Sequence, residues 1–341
     1  MNALMNNKYQ LLNRRYFARQ AGYSIVEWMI AIMLALFLTS GLLSVFVSSK
    51  RATTEALGTG ERQENATFAL QILVRDLKQA NFFAQATGEN KSLWNLNGAT
   101  IATSDDCLDD VSSGSFPTSV LFRPLWASSI PSAIGSLEMG CLDDGDSETS
   151  LVTDSDYISL KRVRGFLQQD NFITDRFYLD INTTELTVYK GNASALTSGS
   201  VNQAWEYIHH VYYLDEHEGV NRLRRIALRT SEMVREEVLV EGVESMQFMF
   251  ALDELIASER DGSIHSLVGT SDVTANDWDT GRVIGIKIFL LIKSLEKTAG
   301  YTNTDSYQLG DYTFPAANDN YKRELVSAVV LFQNSVVTVD D

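Results

Sequence analysis

From Trp28 to Ser49 the chain runs for 22 residues without a charge, most of them Ile, Leu, Val, Met, Phe or Ala. As an α-helix at 1.5 Å per residue, this stretch measures about 33 Å, enough to cross the hydrocarbon core of a bilayer. Residues 1–22 before it carry Lys8, Arg14, Arg15 and Arg19 and no acidic residue. A basic flank stays in the cytoplasm, so everything after Lys50 is expected on the far side of the membrane. A secretory signal peptide would have a shorter apolar stretch, about 7–15 residues, followed by an A-x-A-like site. The length favours an anchor. One residue does not fit a plain anchor: Glu27 opens the apolar run, where an acidic side chain costs about 2.5–3.5 kcal/mol at mid-bilayer and less near the interface.

The rest of the 341 residues is globular in composition, with 45% hydrophobic and 21% charged residues overall. Lys and Arg number 28 against 44 Asp and Glu, a net charge of −16, which disfavours nucleic acid as a partner. Four prolines and two cysteines exclude Pro-rich and disulfide-dense classes and allow at most one intrachain disulfide.

The segment Gly22-Tyr23-Ser24-Ile25-Val26-Glu27-Trp28-Met29-Ile30-Ala31 resembles the processing site of type IV prepilins and type II secretion pseudopilins. The resemblance implies that a prepilin peptidase cuts after Gly22 on the cytoplasmic face and methylates the new amino terminus at Tyr23. Independently of the family, a carboxylate four residues along a helix can compensate an amine of its own or a neighbouring chain. Glu27 is therefore expected to pair with the N-terminal amine of an adjacent subunit during assembly. The bland alternative is a carboxylate in headgroup water.

No proline occurs before Pro117, so the helix that starts near Tyr23 is expected to continue past the bilayer. Phe68, Ala69, Ile72, Leu73, Leu77 and Ala80 recur at helical spacing and predict one buried face. Gly58 and Gly60 predict a kink or short unwinding. Glu64, Arg75, Asp76 and Lys78 read as a solvated face. The run Arg62-Gln63-Glu64-Asn65, Phe68 to Leu73 and Arg75-Asp76-Leu77-Lys78-Gln79-Ala80 resembles PilW-type minor pilins of the type IV pilus.

Residues 88–156 are rich in Gly, Ser, Asn and Asp and read as a long acidic connecting loop. Cys-Leu-Asp-Asp occurs twice, at 107–110 and 141–144. In an oxidising compartment Cys107 and Cys141 most simply pair, with free thiols in both as the alternative. No further Cys or adjacent His completes a metal set. A disulfide would gather Asp105, Asp106, Asp109, Asp110, Asp143, Asp144, Asp146 and Glu148, which makes calcium conceivable, although the spacing is not that of an EF-hand.

Beyond residue 156 apolar runs and alternation predict strands at 157–163, 177–181, 186–189, 207–214, 223–228, 246–252, 283–292 and 325–332, joined by turn-forming residues into a largely antiparallel sheet. Val238 to Phe248, Gly285 to Ser294 and Tyr321 to Asn334 again resemble PilW proteins. For catalysis the sequence offers little. His209 and His210 fall on opposite faces of a predicted strand, and no phosphate loop, H-E-x-x-H or nucleophile elbow occurs. Trp94, Trp126, Trp205 and Trp278 are either partner anchors or buried packing.

The expectation is an α+β, type IV pilin-like fold: a long N-terminal helix, membrane stalk plus amphipathic half, packed on a mainly antiparallel β-sheet head. Its parts are a leader (1–22), a stalk helix (23–87, crossing the membrane at 28–49), the acidic loop region (88–156) and the head (157–341). The resemblance implies a non-enzymatic minor pilin without cofactor or metal. Its implied partners are other minor pilins, the major pilin and a large tip adhesin in the inner-membrane priming complex, with the head periplasmic before incorporation into the fibre. Twitching motility and adhesion are the implied traits. The alternatives are a minor pseudopilin of type II secretion and an anchored carbohydrate- or calcium-binding module.

Overall fold

The computed structural model describes residues 22–87, 95–99, 122–133, 136–143, 145, 148–181, 185–201, 203–230, 232–256, 259–260 and 262–334. The chain divides into two units, at Glu55 and Ala56. Helix α1 (Ile25–Leu77) is a single uninterrupted α-helix. Its first part, through Glu55, is exposed along its whole length. Among the described residues it is the one helix long and apolar enough to cross a membrane.

The unwinding expected at Gly58 and Gly60 does not occur. Each glycine costs about 1 kcal/mol against alanine, which the cooperative ladder of a 53-residue helix absorbs; Arg62 Nη1 also donates to Gly58 O at 3.1 Å. The buried row comprises Ala66, Ala69, Ile72, Leu73, Asp76 and Leu77. Phe68, expected in it, is 52% exposed, because at about 100° per residue it turns away from Ala69. Asp76, expected in solvent, is buried instead. The helix stops at Leu77, short of the expected residue 87, in tight turns that end on Asn81 in the left-handed region (φ 61°), whose N–H donates to Lys161 O at 3.1 Å.

The strands follow as β1 (Asn95–Gly98), β2 (Leu125–Ser129), β3 (Thr149–Leu151), β4 (Asp156–Val163), β5 (Phe177–Ile181), β6 (Glu185–Lys190), β7 (Trp205–His217), β8 (Val220–Leu228), β9 (Met233–Arg235), β10 (Val240–Glu241), β11 (Val243–Leu252), β12 (Leu255–Ile256), β13 (Glu259–Arg260), β14 (Ser266–Gly269), β15 (Val283–Lys293), β16 (Tyr307–Leu309), β17 (Tyr312–Phe314) and β18 (Arg323–Leu331). The stretch expected to be only a loop, 88–156, contributes three of them. These are short and lack alternation, and each is recruited by a longer neighbour: β1 by β6, β2 by β4 and β3 by β7.

Among the described residues two main sheets form. One has ten strands, with the path β1-β6-β5-β7-β4-β2 and β3, β8, β9 and β10 attached through β7 and β8. The other has the order β14-β11-β15-β18. The β1–β6 pair is parallel and the other described strand pairs are antiparallel. Glu218 and Gly219 close the β7–β8 hairpin with φ of 50° and 80°, the two positive values that let a two-residue turn follow the strand twist.

The seam between the sheets is stitched by Asp154, Ser155 and Asp156. Ser155 Oγ donates to Met246 O and accepts from Met246 N, while Asp156 Oδ2 accepts from Phe248 N at 2.8 Å. Around this seam Ala69, Leu73 and Leu77 of α1 join Leu160, Tyr212, Phe248 and Ile288 in one core.

Candidate functional site

The N-terminal segment is built simply. Ser24 caps α1, its Oγ accepting from Val26 N at 3.3 Å and its carbonyl accepting from Trp28 N at 3.2 Å. Glu27 lies in the first turn, where the positive end of the helix dipole favours an acid. Gly22, Tyr23 and Glu27 are exposed, and among the described residues Glu27 makes no ion pair.

A buried polar constellation lies elsewhere, where α1 meets the ten-stranded sheet. Asp76 Oδ1 receives Arg162 of β4 at 2.6 Å, and its Oδ2 receives His210 Nδ1 and the Tyr212 hydroxyl of β7, both at 2.7 Å. Behind them Arg225 Nη1 donates to the Tyr212 oxygen at 3.3 Å, and Glu236 joins Arg225 to Arg229. Burial pushes the Asp76 carboxyl up, but the hydrogen bond and charge of His210, the Arg162 charge and the Tyr212 hydroxyl outweigh it and hold it well below the usual carboxylate range. Burial lowers His210 and raises Tyr212; because an ionised carboxylate only accepts, the His210 Nδ1–H is the donor to Asp76. An acid in the last turn opposes the helix dipole; the cations from the sheet offset that. Sequence reading missed this lock, although Asp76 lies three residues after Leu73 and so in the apolar row.

His209 points to the opposite face, as expected from strand alternation. It is buried, with Nε2 2.8 Å from Ser159 Oγ. A Ser–His pair can in principle form a nucleophile, but both side chains are 1% exposed, so no substrate reaches them. His217 Nδ1 donates to Glu148 O at 3.1 Å, and His265 meets Glu254 at 3.0 Å.

Cys141 sits in the short turn Gly140–Leu142 against the main core; Cys107 lies outside the described residues. So do Asp105, Asp106, Asp109, Asp110, Asp144, Asp146 and Trp94. Asp143 accepts from Gly145 N, and among the described residues no group of three or more His, Cys, Asp or Glu is placed to hold a metal. Trp126 and Trp278 are buried edge-on against Tyr157 and Phe250, and Trp205 packs on Phe82. These three pack into the fold.

The sequence model of the PilW family, type IV pilus-assembly protein W, matches residues 211–334, from β7 to just beyond β18. A solved type IV-like pilin from Thermus thermophilus is 13% identical with a TM-score of 0.26, over 55% of this chain and 83% of that one. No curated protein matches the chain significantly. The chain thus joins a long apolar N-terminal helix to a mainly antiparallel α+β head, a pilin-like architecture, and part of that head is similar to type IV pilus-assembly proteins. The similarity is to the PilW type and spans residues 211–334.

Proposed function

We propose that the protein is a minor pilin which joins other minor pilins in an inner-membrane priming complex, from which the major pilin polymerises, and which then sits at the fibre tip with a large adhesin. The observation that carries this reading is the combination, in one chain, of an exposed apolar helix capped at Ser24 directly after Gly22-Tyr23 and a PilW-type head segment. Glu27, without an ion pair of its own among the described residues, is available to the amine of an adjacent subunit. Prepilin peptidase cuts after Gly22 and methylates Tyr23, and the head is then periplasmic. Removal of residues 1–22 takes four basic residues and no acid, so the processed chain carries a side-chain charge of −20.

The role is structural, without catalysis; the inaccessibility of Ser159 and His209 supports this. A deletion strain is the test. Loss of pili and of twitching, restored by the wild-type gene and not by Gly22→Val, is the expected result. A piliated deletion strain that fails to secrete exoproteins would overturn it in favour of a type II secretion pseudopilin.

A further inference from the structure

Strand β18 ends the second sheet, and among the described residues its outer edge pairs with nothing. Exposed sheet edges are usually blunted by charges, proline, bulges or shortness. Here Leu325 to Leu331 contains no charge and no proline, and the register with β15 runs unbroken from Arg323 to Leu331. At the opposite edge β14 is only four residues long. Most outward side chains of β18 are themselves apolar: Leu325, Val329 and Leu331 are 36%, 63% and 57% exposed, with exposed Ser327 between Leu325 and Val329. The inward face is committed to the core through Val330.

Lys287 of β15 is the register partner of Val329 and so stands in the same outward row. Its Nζ lies 4.8 Å from the Phe289 ring centre, and no carboxylate among the described residues pairs with it. A cation set among apolar side chains, on a chain of net charge −16, selects for an acid that is not its own. A second copy of this chain fits poorly, since β18 against β18 would join two acidic molecules and leave both lysines unpaired.

We propose that the β18 edge is a strand-acceptor site, taking an extended segment of a different polypeptide that is apolar at alternate positions and carries a carboxylate beside Val329, in the row that Lys287 occupies one strand further in. The added strand hydrogen-bonds to the free edge of β18 through its main chain, its apolar side chains cover Leu325, Val329 and Leu331, and its acid pairs with the Lys287 ammonium.

The experiment uses the full chain in detergent and a fluorescent, end-capped nine-residue peptide with valine at alternate positions and one central aspartate. Saturable binding with a Kd below about 1 mM, a free energy of roughly −4 kcal/mol, is expected. Val329→Lys should weaken it at least tenfold, and Leu267→Lys at the β14 edge should leave it unchanged. Lys287→Glu should reverse the preference toward a peptide with lysine in place of the aspartate, a readout that a loss of packing would not produce and that decides the matter even if Val329→Lys folds poorly. Absence of saturable binding, equal losses at both edges, or no charge reversal would overturn the proposal. So would a dimer broken by Val329→Lys, which makes the occupant a second copy, or binding seen only after residues 335–341 are deleted, which makes it the chain's own tail.

Discussion

Asp76 of α1 and Arg162 of β4 meet at 2.6 Å with side chains only 6% and 11% exposed. Removing one partner of a buried pair leaves the other charge without compensation, at a cost of about 3–5 kcal/mol. Asp76→Ala should therefore destabilise the head by that order, measured by denaturant unfolding of the full chain in detergent. Arg162→Ala combined with Asp76→Ala should cost less than the sum of the single changes.

Asp156 carries the opposite electrostatic signature. Burial raises its carboxyl to about 6, against the hydrogen bonds of Ser129, Thr270 and Phe248 N, with the nearby Asp311 charge adding to the rise. A group raised in the folded state stabilises most when protonated: its contribution is complete below the unfolded value near 3.8 and is lost as pH climbs through 6. The amount is about 3 kcal/mol at roughly 1.4 kcal/mol per unit. Thermal melting followed from pH 4 to 7 should fall with pH in the wild type and be flatter in Asp156→Asn, whose amide can accept from Phe248 N and donate to Ser129.

Gly242 lies between β10 and β11 at φ 82°, and a Cβ there would stand 2.7 Å from Lys293 O. Its N–H and carbonyl already bond Asn221 and Lys293, both at 2.7 Å. Positive φ and backbone contact together should make Gly242→Ala cost about 1–3 kcal/mol, read as a lowered denaturation midpoint.

If Cys107 and Cys141 pair, as we propose, intact-mass measurement should show a gain of two hydrogen atoms on reduction. Cys141→Ser should lower stability by about 3–4 kcal/mol for a loop of this length. An unchanged mass would mean free thiols.

Glu27→Val should leave membrane insertion intact, since it removes a charge from an apolar helix, and should abolish incorporation into pili. Normal pili in that strain would remove the amine-pairing role. Mass spectrometry of the processed chain should find Tyr23 methylated at its amino terminus.

The helix, its apolar first part and eight strands were legible because each has a period or an unbroken apolar run of its own: β4, β5, β7 and β15 stand where alternation or length put them. The short strands were not, because β1, β2 and β3 owe their pairing to a neighbour rather than to their own pattern. Asp76 misled for a related reason: a carboxylate is normally solvated, and only the partners brought by β4 and β7, far away in sequence, make its burial tolerable.

The sequence by itself determined the basic flank, the apolar run, the position of Glu27 and the helix that carries them, since these follow from local hydropathy and backbone hydrogen bonding. The tertiary structure alone decided which polar groups the core encloses and which strand is left at an edge. Both depend on charges and main-chain groups from distant segments meeting at distances that no local pattern encodes.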